Sequence, residues 1–397
     1  MKVAVLFHRL GPYHFARLIA ANKVCHLHVI ELSSVDDTYA WDVIDEERGF
    51  ERTTLFTDSD VERKSSSEIT RVLGKTFIEI EPDAVAIPGW SGRAAFLALE
   101  LCRKLRIPAI AMSDSTEFDQ ARQYWKEVVK KRVVGNFSAA LVGGKPHTDY
   151  MYKLGMPHER IFSGYDVVDN SYFLTGAENA RKNEKDLRIK YSLPANYFLG
   201  SSRFVPKKNL HRLISAYSEY RKVYTGPDMW RLVLLGDGEM RPQLEVFISE
   251  LSLENYVLLP GFKQYPDLPV YYGLAKAYVL ASTTEQWGLV VNEAMASGLP
   301  VLVSERCGCA ADLVERGRNG FTFDPYNVVE LAGLMLKLSS SESELTTMGE
   351  ASQAIISRLT PETFAVSLGL AAEAAIKSPM KKFKLFDKLI LKGLGLK

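Results

Sequence analysis

The stretch from residue 277 to 304, AYVLASTTEQWGLVVNEAMASGLPVLVS, restricts the architecture of this chain more than any other. An apolar run at 277–281 leads into polar Ser282-Thr283-Thr284-Glu285, and a second apolar run follows at 301–304. Both runs read as strands buried on two faces. Between them, Gln286-Trp287-Gly288 opens a helix over 289–297, and Gly298-Leu299-Pro300 closes it. Strand, crossover helix and strand make parallel neighbours, so the segment predicts an α/β fold with helices on a parallel sheet.

The same alternation fills the first half of the chain. Strands are predicted at 2–7, 25–31, 84–87, 109–112 and 139–142, with helices to about 21 and over 62–80, 93–106 and 119–133. The first strand is followed by His8-Arg9-Leu10-Gly11-Pro12-Tyr13-His14, in which Gly11 stands alone, so the three-glycine dinucleotide fingerprint is absent. Residues 33–51 are polar with scattered aromatics and read as a loop covering a cleft. Asp58-Ser59-Asp60 imitates a metal-binding pair but lies in an ordinary charged run, and no metal is expected. Loops after the remaining strands carry Pro88-Gly89-Trp90-Ser91-Gly92, Ser113-Asp114-Ser115-Thr116 and Gly143-Gly144-Lys145, all at the edge of a parallel sheet where ligands bind.

A junction at Gly164–Asp169 and the basic stretch 176–190 precede a second round of alternation. Its strands are predicted at 197–201, 231–235, 257–259, 278–280, 301–304 and 320–323, and three helices follow at 327–339, 343–357 and 361–376. A chain of 397 residues exceeds one ordinary core. The reading is therefore two doubly wound, Rossmann-like domains facing a cleft, 1–168 and 169–376, with a tail at 377–397. A net charge of +1 offers no global attraction for nucleic acid. The four cysteines (Cys25, Cys102, Cys307 and Cys309) form no disulfide or zinc pattern, which suits reduced thiols and a cytoplasmic setting. No apolar stretch reaches the length of a membrane span.

The second half carries the chemistry. The helix opened by Gly288 presents amides at its N-terminus, a place for an anion, flanked by the carboxylates of Glu285 and Glu293, which suit hydroxyl groups. Arg203 and Lys208 sit on the loop after the strand at 197–201 and can neutralise a diphosphate and stabilise its departure. Gly236-Asp237-Gly238 permits close backbone approach to a ligand, and Pro260-Gly261-Phe262-Lys263 follows the next strand. A nucleotide sugar has this distribution of groups, a diphosphate between two hydroxyl-rich rings.

The order of Arg203, Lys208-Asn209, Gly236-Asp237-Gly238, Gly261, Glu285, Gly288, Glu293-Ala294, Gly298-Leu299-Pro300-Val301 and Asn319-Gly320 resembles the retaining glycosyltransferases of family 4, which have the GT-B fold. The resemblance covers most of residues 197–325. It implies that Arg203 and Lys208 hold the donor diphosphate and that Glu285 binds donor-sugar hydroxyls. It further implies that amides near Trp287, Gly288 and Leu289 meet phosphate or sugar, that Glu293 binds the ribose, and that the Phe262–Lys263 backbone meets the base. Trp287 replaces the Phe usual before that glycine. Many members carry a His where this chain has Ser113-Asp114-Ser115. Asp114 or Ser115 takes that place on the acceptor side, or another group of the first domain does, or either residue simply caps a helix; Gly11 is the candidate for the small residue near the sugar and diphosphate, flanked by His8 and His14, either of which is as readily structural. The resemblance implies no cofactor and no essential metal, retention by front-face attack, and a glycan or glycolipid acceptor in surface polysaccharide assembly. The alternatives are a non-catalytic nucleotide-sugar-binding protein and, less well supported, a phosphorylase or epimerase of the same fold.

The tail KSPMKKFKLFDKLILKGLGLK holds seven Lys and one acid. On a helical projection Lys381, Lys384, Lys388 and Lys392 share one face and Phe383, Phe386, Ile390 and Leu394 the other. Two readings fit: an interfacial helix on an anionic membrane surface, or a terminal helix docked on the first domain with a basic exterior. Arg122, Lys126 and Lys130, spaced i, i+4, i+8, form a second basic row.

Overall fold

The computed structural model describes residues 1–34, 49–57, 60–90, 92–120, 122–380 and 382–395. Most of the expected covering loop, Asp58, Ser59, Ser91 and Lys381 lie outside the described residues. Contacts divide the chain into two units, Met1–Val168 with Leu359–Lys397, and Asp169–Arg358.

The first unit runs β1 (Lys2–Phe7), α1 (Pro12–Asn22), β2 (His26–Ser33), β3 (Glu51–Phe56), α2 (Ser66–Ile80) and β4 (Ala84–Pro88). It continues with α3 (Arg93–Leu105), β5 (Ala109–Ser113), α4 (Tyr124–Val134), β6 (Ala139–Val142), α5 (Lys145–Lys153) and β7 (Ile161–Ser163). The seven strands are parallel in the order β3-β2-β1-β4-β5-β6-β7. The chain winds outward from β1 on one side, then crosses to β4 and winds outward on the other.

The period-2 alternation of strands decides what covers each face. Val3 and Val5 point into one core with Phe15 and Leu18 of α1, whereas Ala4 and Leu6 point into another with Leu73, Phe77, Leu97 and Leu101. The first face is completed by Phe364 and Leu368 of a helix late in the chain, the second by Leu391 of the tail. This corrects the domain reading at 361–376. The stretch looks like one more helix of the second alternation, but α1 leaves part of the first sheet uncovered and the apolar stripe of the late helix fills it.

The second unit starts with α6 (Asn170–Lys182), α7 (Glu184–Tyr191), β8 (Tyr197–Ser201), α8 (Leu210–Val223), β9 (Arg231–Leu235) and α9 (Arg241–Glu250). There follow β10 (Val257–Gly261), α10 (Leu268–Leu274), β11 (Ala277–Leu280), α11 (Leu289–Ala296), β12 (Val301–Ser304) and α12 (Ala310–Leu313). β13 (Gly320–Phe323), α13 (Val328–Ser339) and α14 (Glu342–Ile356) complete it. Its parallel sheet has the order β10-β9-β8-β11-β12-β13. Phe198, Leu232, Val279 and Leu302 from four adjacent strands share one core with Leu213 and Tyr217 of α8 and Leu331 and Met335 of α13. The chain then returns to the first unit through α15 (Pro361–Lys377) and α16 (Leu385–Leu394). No helix among the described residues is long and apolar enough to cross a membrane.

Three local expectations change. The stretch from Glu51 joins the sheet as β3, an edge strand whose half-polar sequence ERTTLF carries little apolar signal. Helix α4 begins at Tyr124, five residues later than predicted, because Thr116 and Asp119 close a turn of their own through bonds of 2.8 and 2.5 Å. Asp114 and Ser115 therefore do not cap it. Of the basic row, Arg122 and Lys130 turn to Glu127 at 3.2 and 3.3 Å.

Candidate functional site

An open parallel sheet binds ligands outside the carboxyl ends of its strands, where the strand order reverses. In the second unit that point lies between β8 and β11. The loop leaving β8 carries Arg203 and Lys208; the loop leaving β11 carries Glu285 and Gly288. Topology thus brings together two segments far apart in the chain.

Their side chains meet. The Lys208 ammonium pairs with the Glu285 carboxylate, and both side chains are largely withdrawn from solvent, 12% and 14% exposed. Ser282 donates a further bond of 3.3 Å to the same carboxylate. The two loops are also sewn through their backbones, since the Lys207 carbonyl accepts from the Thr283 amide at 2.8 Å. Asn209 secures the end of the first loop. It adopts the left-handed region at φ 59°, where Asn is better tolerated than most residues, and its amide donates to the carbonyls of Ala281 and Pro325 at 3.0 and 2.8 Å. Arg203 lies exposed on this loop.

Gly288 stands immediately before α11 with φ 107°, a backbone conformation that disfavours a side chain. The Trp287 ring is buried and its indole N–H donates to Asn292 at 2.9 Å, which locks the turn to the helix it opens. Leu289 and the residues after it supply the N-terminal amides of α11, where the helix dipole favours negative charge. One turn further, Glu293 is buried and accepts a 2.7 Å bond from the Tyr272 hydroxyl. Burial pushes the Glu293 carboxyl up from 4.5 to about 7, against the smaller opposing effect of the Tyr272 bond. A buried carboxyl that accepts from the Tyr272 hydroxyl and resists ionisation is a costly group to keep for structure alone.

Gly236 makes a close approach within the fold itself. A Cβ there would stand 1.8 Å from the Ser202 carbonyl oxygen, and its amide donates to the Gly261 carbonyl at 3.1 Å. The close approach it permits is to the neighbouring β8 loop, so its glycine character serves the packing of two loops. Phe262 is exposed after β10, and Lys263 places its ammonium 5.7 Å from the Tyr271 ring centre.

The remaining predicted residues belong to the first unit, near its own reversal point between β1 and β4. Gly11 caps α1: its amide donates to Nδ1 of His14 at 2.8 Å and its carbonyl accepts from the His14 amide at 2.9 Å. The His14 proton therefore resides on Nε2, and burial, helped by Arg17, holds the ring neutral by lowering its pKa well below the ordinary value. Asp114 and Ser115 follow β5, the strand beyond β4. Burial and the charge of Asp114 raise Asp166 well above the ordinary carboxylate range, while Arg17 opposes them.

Two residues escape a reading by sequence. Glu31, inside a buried strand, accepts from the Leu10 amide at 2.9 Å, Arg52 at 2.6 Å and Thr54 at 2.8 Å, and so fixes the loop before Gly11. Arg17 is buried in a helix, donates to the Tyr165 carbonyl at 2.8 Å, and has four aromatic rings within 5.5 Å. A charged residue at an apolar position was the available signal for both. The four cysteines are free and buried; burial and Glu285 keep the Cys307 thiol protonated.

The chain is similar to known proteins in its second half and in its fold. Residues 182–354 match the family model described as glycosyl transferases group 1. The alpha-monoglucosyldiacylglycerol synthase of Acholeplasma laidlawii is 33% identical over 31% of this chain and 30% of its own length. The alpha-D-kanosaminyltransferase of Streptomyces kanamyceticus is 27% identical over 62% of this chain and 65% of its own. The chain thus spans less than two thirds of the length of either relative. Among solved structures, Anabaena HepE in complex with UDP-glucose superposes with a TM-score of 0.71 at 21% identity, over 94% of this chain and 98% of that one. Residues 182–354 are thus similar to the group 1 glycosyl transferases, and the chain as a whole has the GT-B fold.

Proposed function

We propose that this protein is a retaining glycosyltransferase of family 4 that moves a sugar from a nucleoside-diphosphate donor to a glycan or glycolipid acceptor. The observation that carries the reading is the meeting of Lys208 and Glu285 beside the Gly288 turn, at the strand-order reversal of the second sheet. Lys208 and Arg203 take the diphosphate, which also meets the N-terminal amides of α11. When the anion arrives, the Lys208 ammonium is shared between phosphate and Glu285, and the carboxylate turns part of its accepting capacity to sugar hydroxyls. Glu293 accepts from the ribose. Asp114, Ser115 and His14 serve the acceptor side.

The chemistry is charge stabilisation. As the glycosidic bond breaks, negative charge grows on the leaving diphosphate, where two cations and a helix terminus are already oriented. The departing phosphate takes the acceptor proton, so no second carboxylate is required as nucleophile or base, and neither cofactor nor metal is needed. UDP-glucose is the first donor to try, because HepE is described bound to it. Glycolipid acceptors merit the same priority, since one relative is a glucosyldiacylglycerol synthase.

The experiment is a thermal-shift panel of nucleotide sugars followed by donor hydrolysis without acceptor. One matching donor should raise the melting temperature by several degrees at about a hundred times its Kd, and slow release of free sugar should follow. Stabilisation without release would identify a binding protein; no stabilisation by any donor would overturn the proposal.

A further inference from the structure

The first unit carries a surface that the transferase reading does not use. Helix α16 packs inward through Ile390, Leu391 and Leu394, with Phe383 just before it, against the core under α3. That decides in favour of a docked terminal helix, and it corrects the projected faces: Phe386 is on the outside. With one apolar stripe spent on the core, α16 still exposes Leu385, Phe386 and Leu389, at 73%, 58% and 60%. A helix that is apolar on two sides has more apolar surface than docking on one core requires.

Helix α4 extends this surface. Arg132 lies 3.8 Å from Asp387 and 5.5 Å from the Phe386 ring centre, so α4 borders the exposed side of α16. Seven residues earlier, two turns along the same face of α4, Trp125 is 62% exposed, and Tyr124 and Val128 are exposed beside it. The stripe Trp125–Val128–Arg132 therefore continues into Phe386 and Leu389. Exposed lysines surround it: Lys126 and Lys131 on α4, Lys384, Lys388 and Lys392 on or at the start of α16. The one acid of α16, Asp387, is turned to Arg132.

We infer that α4 and α16 together form a docking face for an anionic lipid bilayer. An aromatic residue flanked by leucines within a ring of lysines is complementary to the headgroup region of such a membrane, where the rings insert and the lysines meet anionic headgroups. A protein partner of matching shape would need acids opposite five lysines around an apolar centre; a bilayer supplies both without shape complementarity. The face is independent of sugar transfer, so it stands or falls separately from the proposed function.

The test is flotation of the full chain with phosphatidylcholine vesicles and with vesicles containing about 30% phosphatidylglycerol. The wild type should float with the anionic vesicles only, less so at high salt. Trp125→Ala and the pair Phe386→Ser with Leu389→Ser should each weaken binding about tenfold or more, and Lys384→Gln with Lys388→Gln and Lys392→Gln by on the order of a hundredfold. Circular dichroism and melting temperature should stay at wild-type values, because these side chains face solvent. Equal flotation with both vesicle types, or unchanged flotation of the folded variants, would overturn the proposal. So would self-association of the wild type, lost in these variants, without vesicle binding, which would make the face a contact between copies.

Discussion

Replacing Glu293 by Gln should make the protein more stable and less active, and the gain should depend on pH. Burial raises the Glu293 carboxyl from 4.5 to about 7 in the folded state. The folded protein then holds that proton more tightly than the unfolded chain does. Stability is full below about pH 4.5, falls as the pH climbs, and reaches its floor above about pH 7, where roughly 3 kcal/mol has been lost. Between about pH 5 and pH 8 the loss is about 2.5 kcal/mol. Gln keeps the shape and can still accept the 2.7 Å bond from Tyr272, but it has no proton to lose. Urea unfolding of wild type and Glu293→Gln at the two pH values should therefore show a gap that widens by about 2.5 kcal/mol at the higher one. Donor affinity should fall in the variant. Parallel pH dependence of the two proteins would refute the assignment of Glu293 as a buried, strained carboxylate kept for a ligand.

Arg203→Ala and Lys208→Ala should each lower turnover about tenfold or more, measured as donor consumption. Lys208→Ala also leaves the Glu285 carboxylate without its ammonium, at a cost of about 3 kcal/mol in unfolding free energy; Lys208→Ala with Glu285→Ala should recover most of that stability and none of the activity. Gly236→Ala should destabilise the second unit by more than about 3 kcal/mol, since its Cβ collides with backbone at a φ of 126°, and soluble expression at wild-type level would contradict the packing role. Asn209→Ala should cost about 3 kcal/mol, from two buried bonds and left-handed strain, with Asn209→Gly recovering about 1 kcal/mol.

The parallel sheets were legible because their strands are apolar on both faces and their helices amphipathic. The turn at Gly288 was legible because a lone glycine between an apolar run and a helical pattern marks a helix start. What the local pattern could not tell was which sheet a helix covers. The apolar stripe of α15 says that it must be buried but not against what, and its partner strands, β4 to β7, lie about two hundred or more residues earlier. The edge strand β3 was hidden by its polar composition. The tail was misprojected because α16 is apolar on two sides, and only docking shows which side the core takes. The glycines at 236 and 238 mark a point of close approach, but no spacing rule names the Ser202 carbonyl that stands against Gly236. Glu31 was passed over because a charge inside a buried strand reads as noise until its three donors are seen.

A crystal structure of the chain with UDP tests the central claim most directly. The account predicts phosphate oxygens within hydrogen-bonding distance of Lys208 and the first amides of α11, with the ribose on Glu293. A nucleotide bound away from the β8 and β11 loops, or a Lys208 that never leaves Glu285 in its presence, would contradict it.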